Sequence, residues 1–173
     1  MDKDDALDVT VRALRAEDCD RLTAMDRDLT GRSRRRWYEG KLKRALTDSD
    51  IRISLGAEVD GTLVGAVMAS LDYGEFGRPE PVAVLDTVLV DAARRRHGVG
   101  RALLAQLVKN LKGLAIERVR TEVDWDDREL IGFFARAGFS PVPCLVLELD
   151  VARAETALDQ ALAEAEGRGR ASS

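Results

Sequence analysis

The chain has 173 residues, 45% of them hydrophobic and 34% charged, which is the balance of one globular domain able to build its own core. A net charge of −4 supplies no positive field for nucleic acid, and no apolar run approaches the roughly 20 residues of a membrane span. One histidine, His97, and two widely separated cysteines, Cys19 and Cys144, speak against an ordinary zinc site and against a triad with a histidine base.

Both cysteines read as buried structural residues. The acidic start, Met1 to Asp5, lacks the apolar segment of a signal peptide and points to the cytoplasm. Val9 to Ala13 alternates as a strand does. Leu22, Met25 and Leu29 then share one face of a helix that Gly31 ends. Ser33 caps a second helix with Tyr38, Leu42, Ala45 and Leu46 on its apolar side. The arginines between Arg32 and Arg36 sit at the start of that helix, where the macrodipole disfavours cations, so solvent or an anionic partner must hold them.

Ile51, Ile53, Leu55, Ala57 and Val59 alternate strictly with polar or small residues, the pattern of a half-buried strand. Asp60-Gly61 turns the chain, and Thr62 to Leu71 returns as a strand buried on both faces, giving a hairpin. Asp72 to Pro81 is a loop. Val82 to Val90 is an apolar strand with one acid, Asp86, at its middle. A polar connection from Asp91 to Gly100 leads into a helix striped with Leu103, Leu104, Leu107, Val108 and Leu111 and stopped at Gly113. Arg118 to Val123 is a strand. Asp126 to Glu129 start a helix carrying Leu130, Phe133, Phe134 and Ala137, and Gly138 ends it. Cys144 to Val151 is a last strand. From Ala152 the sequence is Ala- and Glu-rich, a frail helix and tail. The early hairpin implies antiparallel pairing, and the strand–helix–strand unit from Val82 to Val123 implies a parallel pair with a crossover. The class is α/β (α+β): a mixed sheet with helices on its faces.

One segment carries chemistry. A strand, a short loop, two close glycines and an amphipathic helix make an anion site, because the first N–H groups of a helix have no partner inside it. Gly98 and Gly100 permit close approach of the backbone, and Arg94, Arg95, Arg96 and Arg101 add positive charge. The dinucleotide fingerprint fails because Leu103 stands at its third small position, and no Gly-Lys-Ser/Thr follows for a P-loop.

Val90-Asp91-Ala92-Ala93-Arg94-Arg95-Arg96-His97-Gly98-Val99-Gly100 resembles motif A of the GNAT superfamily of acyl-CoA-dependent N-acetyltransferases, whose core here is Arg95, Gly98 and Gly100. Thr121-Glu122-Val123, Asp127, Phe133-Phe134 and Gly138-Phe139 resemble its motif B. The resemblance covers roughly residues 8 to 150, and it implies one domain over 1–150 with a tail over 151–173. It also implies six to seven strands with about four helices, the fourth and fifth strands splayed. The donor would be acetyl-CoA, with no metal. Its pyrophosphate would rest on the amides of Arg95, Arg96, His97, Gly98, Val99, Gly100 and Arg101. Its pantetheine arm would run along Val88, Leu89 and Val90, with an amide near Leu89 or Val90 polarising the thioester carbonyl. Asp127 and Phe134 would line the same arm.

The acceptor would be an amine, on a small molecule or a protein, and it must lose a proton before it attacks. Asp86 is the first candidate base, on a strand face with Val84, Val88 and Val90, and a structural hydrogen bond is its alternative role. Glu122 is the second candidate. Departures from the family pattern are Ala92 for Pro, Arg96 for Gly, Asp127 for Asn and Phe134 for the Tyr that protonates the leaving thiolate. Ala92 and Arg96 fit if their φ stays negative. The stretch from Gly138 to Cys144 is short, so the sixth strand is abbreviated or comes from a second subunit in a homodimer. The alternative to an enzyme is a GNAT-like module that binds acyl-CoA and regulates a partner without turnover.

Overall fold

Five strands form one sheet in chain order: β1 (Thr10–Ala13), β2 (Leu55–Val59), β3 (Thr62–Asp72), β4 (Val82–Val90) and β5 (Arg118–Arg120). The structure is a computed structural model and describes residues 7–47, 53–74, 80–151 and 154. The helices are α1 (Cys19–Thr30), α2 (Arg35–Thr47), α3 (Val99–Gly113) and α4 (Arg128–Arg136). β1 to β4 pair antiparallel, and β4 pairs parallel with β5 across the crossover that α3 makes. The mixed class with about four helices therefore stands. The described sheet has five strands in place of six or seven.

The sheet separates two cores. On one face Val64, Val67 and Ala69 of β3 pack with Val99, Leu103, Leu107 and Leu111 of α3 and with Phe134 of α4. Full burial of each of those leucines contributes about 2 kcal/mol of transfer free energy. On the other face Leu63, Ala66 and Met68 meet Leu22 and Met25 of α1 and Tyr38 and Leu42 of α2. Gly65 lets α3 lie close to the sheet: a Cβ there would stand 2.8 Å from Val99 Cγ1. The expected Asp60-Gly61 turn closes the β2–β3 hairpin, with φ of 50° and 72° at its two residues.

Several expectations change. β2 begins at Leu55, its residues are buried on both faces, and the first part of the expected strand, Ile51 and Arg52, lies outside the described residues. β5 stops at Arg120, short of Val123. The chain divides into two units, Met1–Phe139 and Ser140–Ser173. In the second, residues 144–150 carry no strand, because no neighbouring strand supplies the ladder that would define one. Cys19 is buried as expected, whereas Cys144 is exposed on this unpaired stretch. The tail helix expected from Ala152 lies almost entirely outside the described residues.

Candidate active site

The site begins where β4 and β5 part. Their parallel ladder runs only from Val82↔Arg118 to Val84↔Arg120, and a last tie follows as Thr121 Oγ1 donates to the Leu85 carbonyl at 2.8 Å. Beyond it β4 continues to Val90 with β3 alone. Asp91 N donates to Val64 O at 2.8 Å, and strand amides alternate in direction. The Leu89 amide therefore points to β3, and the Val88 and Val90 amides point to the side that β5 has left.

A β-bulge sets this phase. Leu85 pairs with Ala69 and Thr87 with Met68, so Asp86 is the extra residue. Before the bulge Ala83 and Leu85 face the α3 core; after it Val88 and Val90 do, and Leu89 faces the α1–α2 core. Asp86 thus does not share a face with Val88 and Val90 as simple alternation predicts. It lies with Thr87 on the α1–α2 side.

Lys41 of α2 meets it there. Lys41 Nζ forms an ion pair with Asp86 Oδ1 and donates to Thr87 Oγ1 at 2.8 Å, while Thr87 Oγ1 donates to Asp86 Oδ1 at 2.8 Å. The same ammonium lies 4.6 Å from the centre of the Trp37 ring, one helical turn back. Burial pushes Lys41 down to about 8, with Arg44 and Arg34 acting in the same sense; the touching Asp86 carboxylate opposes them. Sequence reasoning missed Lys41 and Trp37. Their i,i+4 spacing was the available signal, and nothing in it pointed to β4.

The motif A loop follows. Asp91 Oδ1 accepts from Ala93 N at 2.9 Å and caps the 3-10 turn Ala92–Arg94, while Arg21 of α1 pairs with Asp91 and donates to Leu63 O at 2.9 Å, tying the loop to α1. Arg95 is extended, Arg96 takes φ +66°, and Gly98 takes φ +85° immediately before α3. The negative φ expected at Arg96 is overturned, because the chain must reverse into α3 within these few residues. His97 Nδ1 donates to the Arg95 carbonyl at 2.7 Å. The first helical bond is Ala102 N to Gly98 O, 2.9 Å. No backbone N–H from Arg95 to Arg101 has an acceptor among the described residues.

The two glycines do different work. Gly98 carries the left-handed φ, with open space where its Cβ would be. Gly100 meets α4, since a Cβ there would stand 3.0 Å from Phe133 Cε2. Phe134 is 4% exposed, edge-on to Phe133 at 5.3 Å and tilted against Phe139 at 4.9 Å, so its ring belongs to the core. Asp127 caps α4 by accepting from Leu130 N at 3.0 Å. Glu122 is exposed on the segment after β5 and has no ion pair among the described residues.

The arginines at the start of α2 find partners within the protein. Arg34 binds the buried Asp26 of α1 through both oxygens, and Arg35 pairs with Asp20 and Glu39. Two shallow apolar hollows, one beside Leu111 and Val119 and one beside Cys19 and Leu42, involve none of the loop residues. Among the described residues no helix is long and apolar enough to cross a membrane, and no three potential metal ligands gather.

Residues 11–139 match the model of the acetyltransferase (GNAT) family. No curated protein matches the chain in sequence. Among solved structures, the aminoglycoside N-acetyltransferase AAC(6')-Iy in complex with CoA is similar with a TM-score of 0.71 at 16% identity, over 84% of this chain and 96% of that one. A ribosomal-protein-alanine N-acetyltransferase from Brucella melitensis biovar Abortus 2308 gives 0.66 at 18%, over 82% and 98%. A transcriptional regulator from Bacillus halodurans C-125 gives 0.69 at 18%, over 82% and 99%. At these identities the likeness is one of fold.

Proposed function

Because the chain belongs to the acetyltransferase (GNAT) family, we propose that it transfers an acetyl group from acetyl-CoA to a primary amine by direct attack in a ternary complex. The observation that carries this reading is the uncapped run of amides from Arg95 to Arg101, set beside two parted strands. Free N–H groups at a helix start favour a diphosphate through hydrogen bonding and the helix dipole together. Arg94, Arg95 and Arg101 surround them with charge. The Val88 and Val90 amides, turned to the open side of β4, suit the amide-rich pantetheine arm, and one of them suits the thioester oxygen. Asp127 and Phe134 enter this scheme as supports, the first by fixing the start of α4 and the second by filling the core beneath it.

Asp86 receives the proton of the acceptor amine, and exposed Glu122 is the second candidate. Phe134 has no hydroxyl to protonate the departing sulfur. A thiol of pKa near ~8.5 leaves without much help, so the reaction does not need one. The acceptor is an amine of a small molecule or of a protein. Adding acetyl-CoA at 100 times its Kd should stabilise the fold by about 2.7 kcal/mol. That raises Tm by roughly 5–10 °C. No rise with any acyl-CoA overturns the reading.

The burial of Phe134 where a tyrosine would act favours a second reading, a module that binds acyl-CoA without turnover. Release of free thiol over a panel of primary amines separates the two: release with any amine means an enzyme, and binding without release means the module.

A further inference from the structure

An amine that gives its proton to a carboxylate must first come within hydrogen-bond distance of it. One amine of this chain is already in that position. Lys41 Nζ touches Asp86 Oδ1 and is 2.8 Å from Thr87 Oγ1, at the bulge beyond which β4 leaves β5. Its side chain is 13% exposed, whereas Lys43, Lys109 and Lys112 lie on the surface. The contact comes from another element, since α2 reaches across the α1–α2 face of the sheet to place it.

We propose that Lys41 is an internal acceptor, and that the protein acetylates its own Lys41 from bound acetyl-CoA. This rests on the reading of Asp86 as the base. The free amine of Lys41 attacks the thioester carbonyl. An N–C bond forms, the C–S bond breaks, and coenzyme A departs as the thiolate. The proton from Lys41 passes to the Asp86 carboxylate and from there to the thiolate or to solvent. Only the acyl-CoA thioester is consumed.

The surroundings favour the reactive form of the nitrogen. Burial holds Lys41 down at about 8, helped by Arg44 and Arg34 on its own helix. About a tenth of it is then the free amine at pH 7. From β4 it faces Asp86, which favours the ammonium and takes up its proton, and the Thr87 hydroxyl; Trp37 covers its other side. Acetylation removes the positive charge and with it the Lys41–Asp86 ion pair. Asp86 is then free to take the proton of an external amine. The modification thus removes an occupant from the acceptor site.

The test is peptide mass analysis after incubation with acetyl-CoA and no added amine. Lys41 should gain one acetyl group well before Lys43, Lys109 and Lys112. Excess free coenzyme A should suppress the gain at Lys41 and leave the slow chemical labelling of the exposed lysines unchanged. Lys41→Arg should gain nothing at that position and keep the thermal shift with acetyl-CoA. The proposal is overturned if Lys41, in protein whose Tm rises with acetyl-CoA, is labelled no faster than the exposed lysines. It is equally overturned if free coenzyme A does not protect Lys41. If acetyl-CoA gives no thermal shift, the proposed function fails and this proposal falls with it.

Discussion

Gly100 and the ring of Phe133 hold α3 and α4 in contact: a Cβ on Gly100 would lie 3.0 and 3.1 Å from two carbons of that ring. This glycine serves helix packing, and through it the position of the amides in front of α3. Gly100→Ala should therefore destabilise by about 1 kcal/mol, the overlap outweighing the better helix propensity of alanine. In a Phe133→Ala background the same change should be neutral or stabilising. Urea unfolding of the four proteins measures the coupling, expected at about 1 kcal/mol. Strict additivity would show that the contact does not constrain the glycine.

Arg96 holds a backbone conformation that costs an L-residue about 1–2 kcal/mol. Its side chain is 89% exposed, and its one ion pair, to Glu129, is long at 3.9 Å. Arg96→Gly should relieve the strain and lose some of the gain to the entropy of the unfolded glycine. A rise in Tm of about 2–4 °C is expected in a thermal scan. A fall would mean that the side chain contributes more than its backbone strain takes away.

Asp18 is held by Arg12 through two hydrogen bonds, 2.7 and 2.8 Å, and accepts from Arg15 N at 2.7 Å. Burial alone pushes this carboxyl up; the hydrogen bonds from Arg12 and the Arg15 backbone reverse it, and the net direction is down. A carboxyl held below its unfolded value of 3.8 contributes stability that is complete above that value and is lost as pH falls through the folded one. Arg12→Ala leaves the same carboxylate buried without its cation and should cost about 3 kcal/mol at neutral pH. Burial then dominates, so acid unfolding of the variant should begin at higher pH than in the parent. Circular dichroism across an acid titration reads the difference.

Arg95 and Asp86 should separate binding from chemistry. Arg95→Ala should raise the Kd for acetyl-CoA about tenfold, the loss of one charge-assisted contact. It should leave kcat at saturating coenzyme nearly unchanged. Asp86→Asn should slow turnover about a hundredfold or more while the thermal shift with acetyl-CoA persists. Loss of the shift in Asp86→Asn would make Asp86 a structural residue of the bulge.

The helices were legible in the sequence because their stripes are long and bounded. Gly31 and Gly138 close their helices in the left-handed conformation, and the leucines of α3 that the 3.6-residue period selects are the buried ones. The motif A loop was legible because glycine spacing is local. What escaped was set by pairing. Nothing within Arg118 to Val123 says that the ladder ends at Arg120, and nothing within Cys144 to Val151 says that it lacks a neighbour. The phase change at Asp86 depends on where β3 aligns, a relation between distant segments. The Lys41 contact depends in turn on that phase. Arg34 and Arg35 escaped for a similar reason, since their acids lie on the preceding helix.

The extra residue at Asp86 makes β4 sensitive to its own length. Deleting one residue between Leu85 and Val88 would restore simple alternation and exchange the destinations of everything downstream. Leu89 would turn out of the α1–α2 core, and Val88 and Val90 out of the α3 core. The amides now aimed at the open side would swing toward β3. Spacing here is therefore as tightly constrained as composition, and a deletion in this strand should do more harm than most substitutions in it.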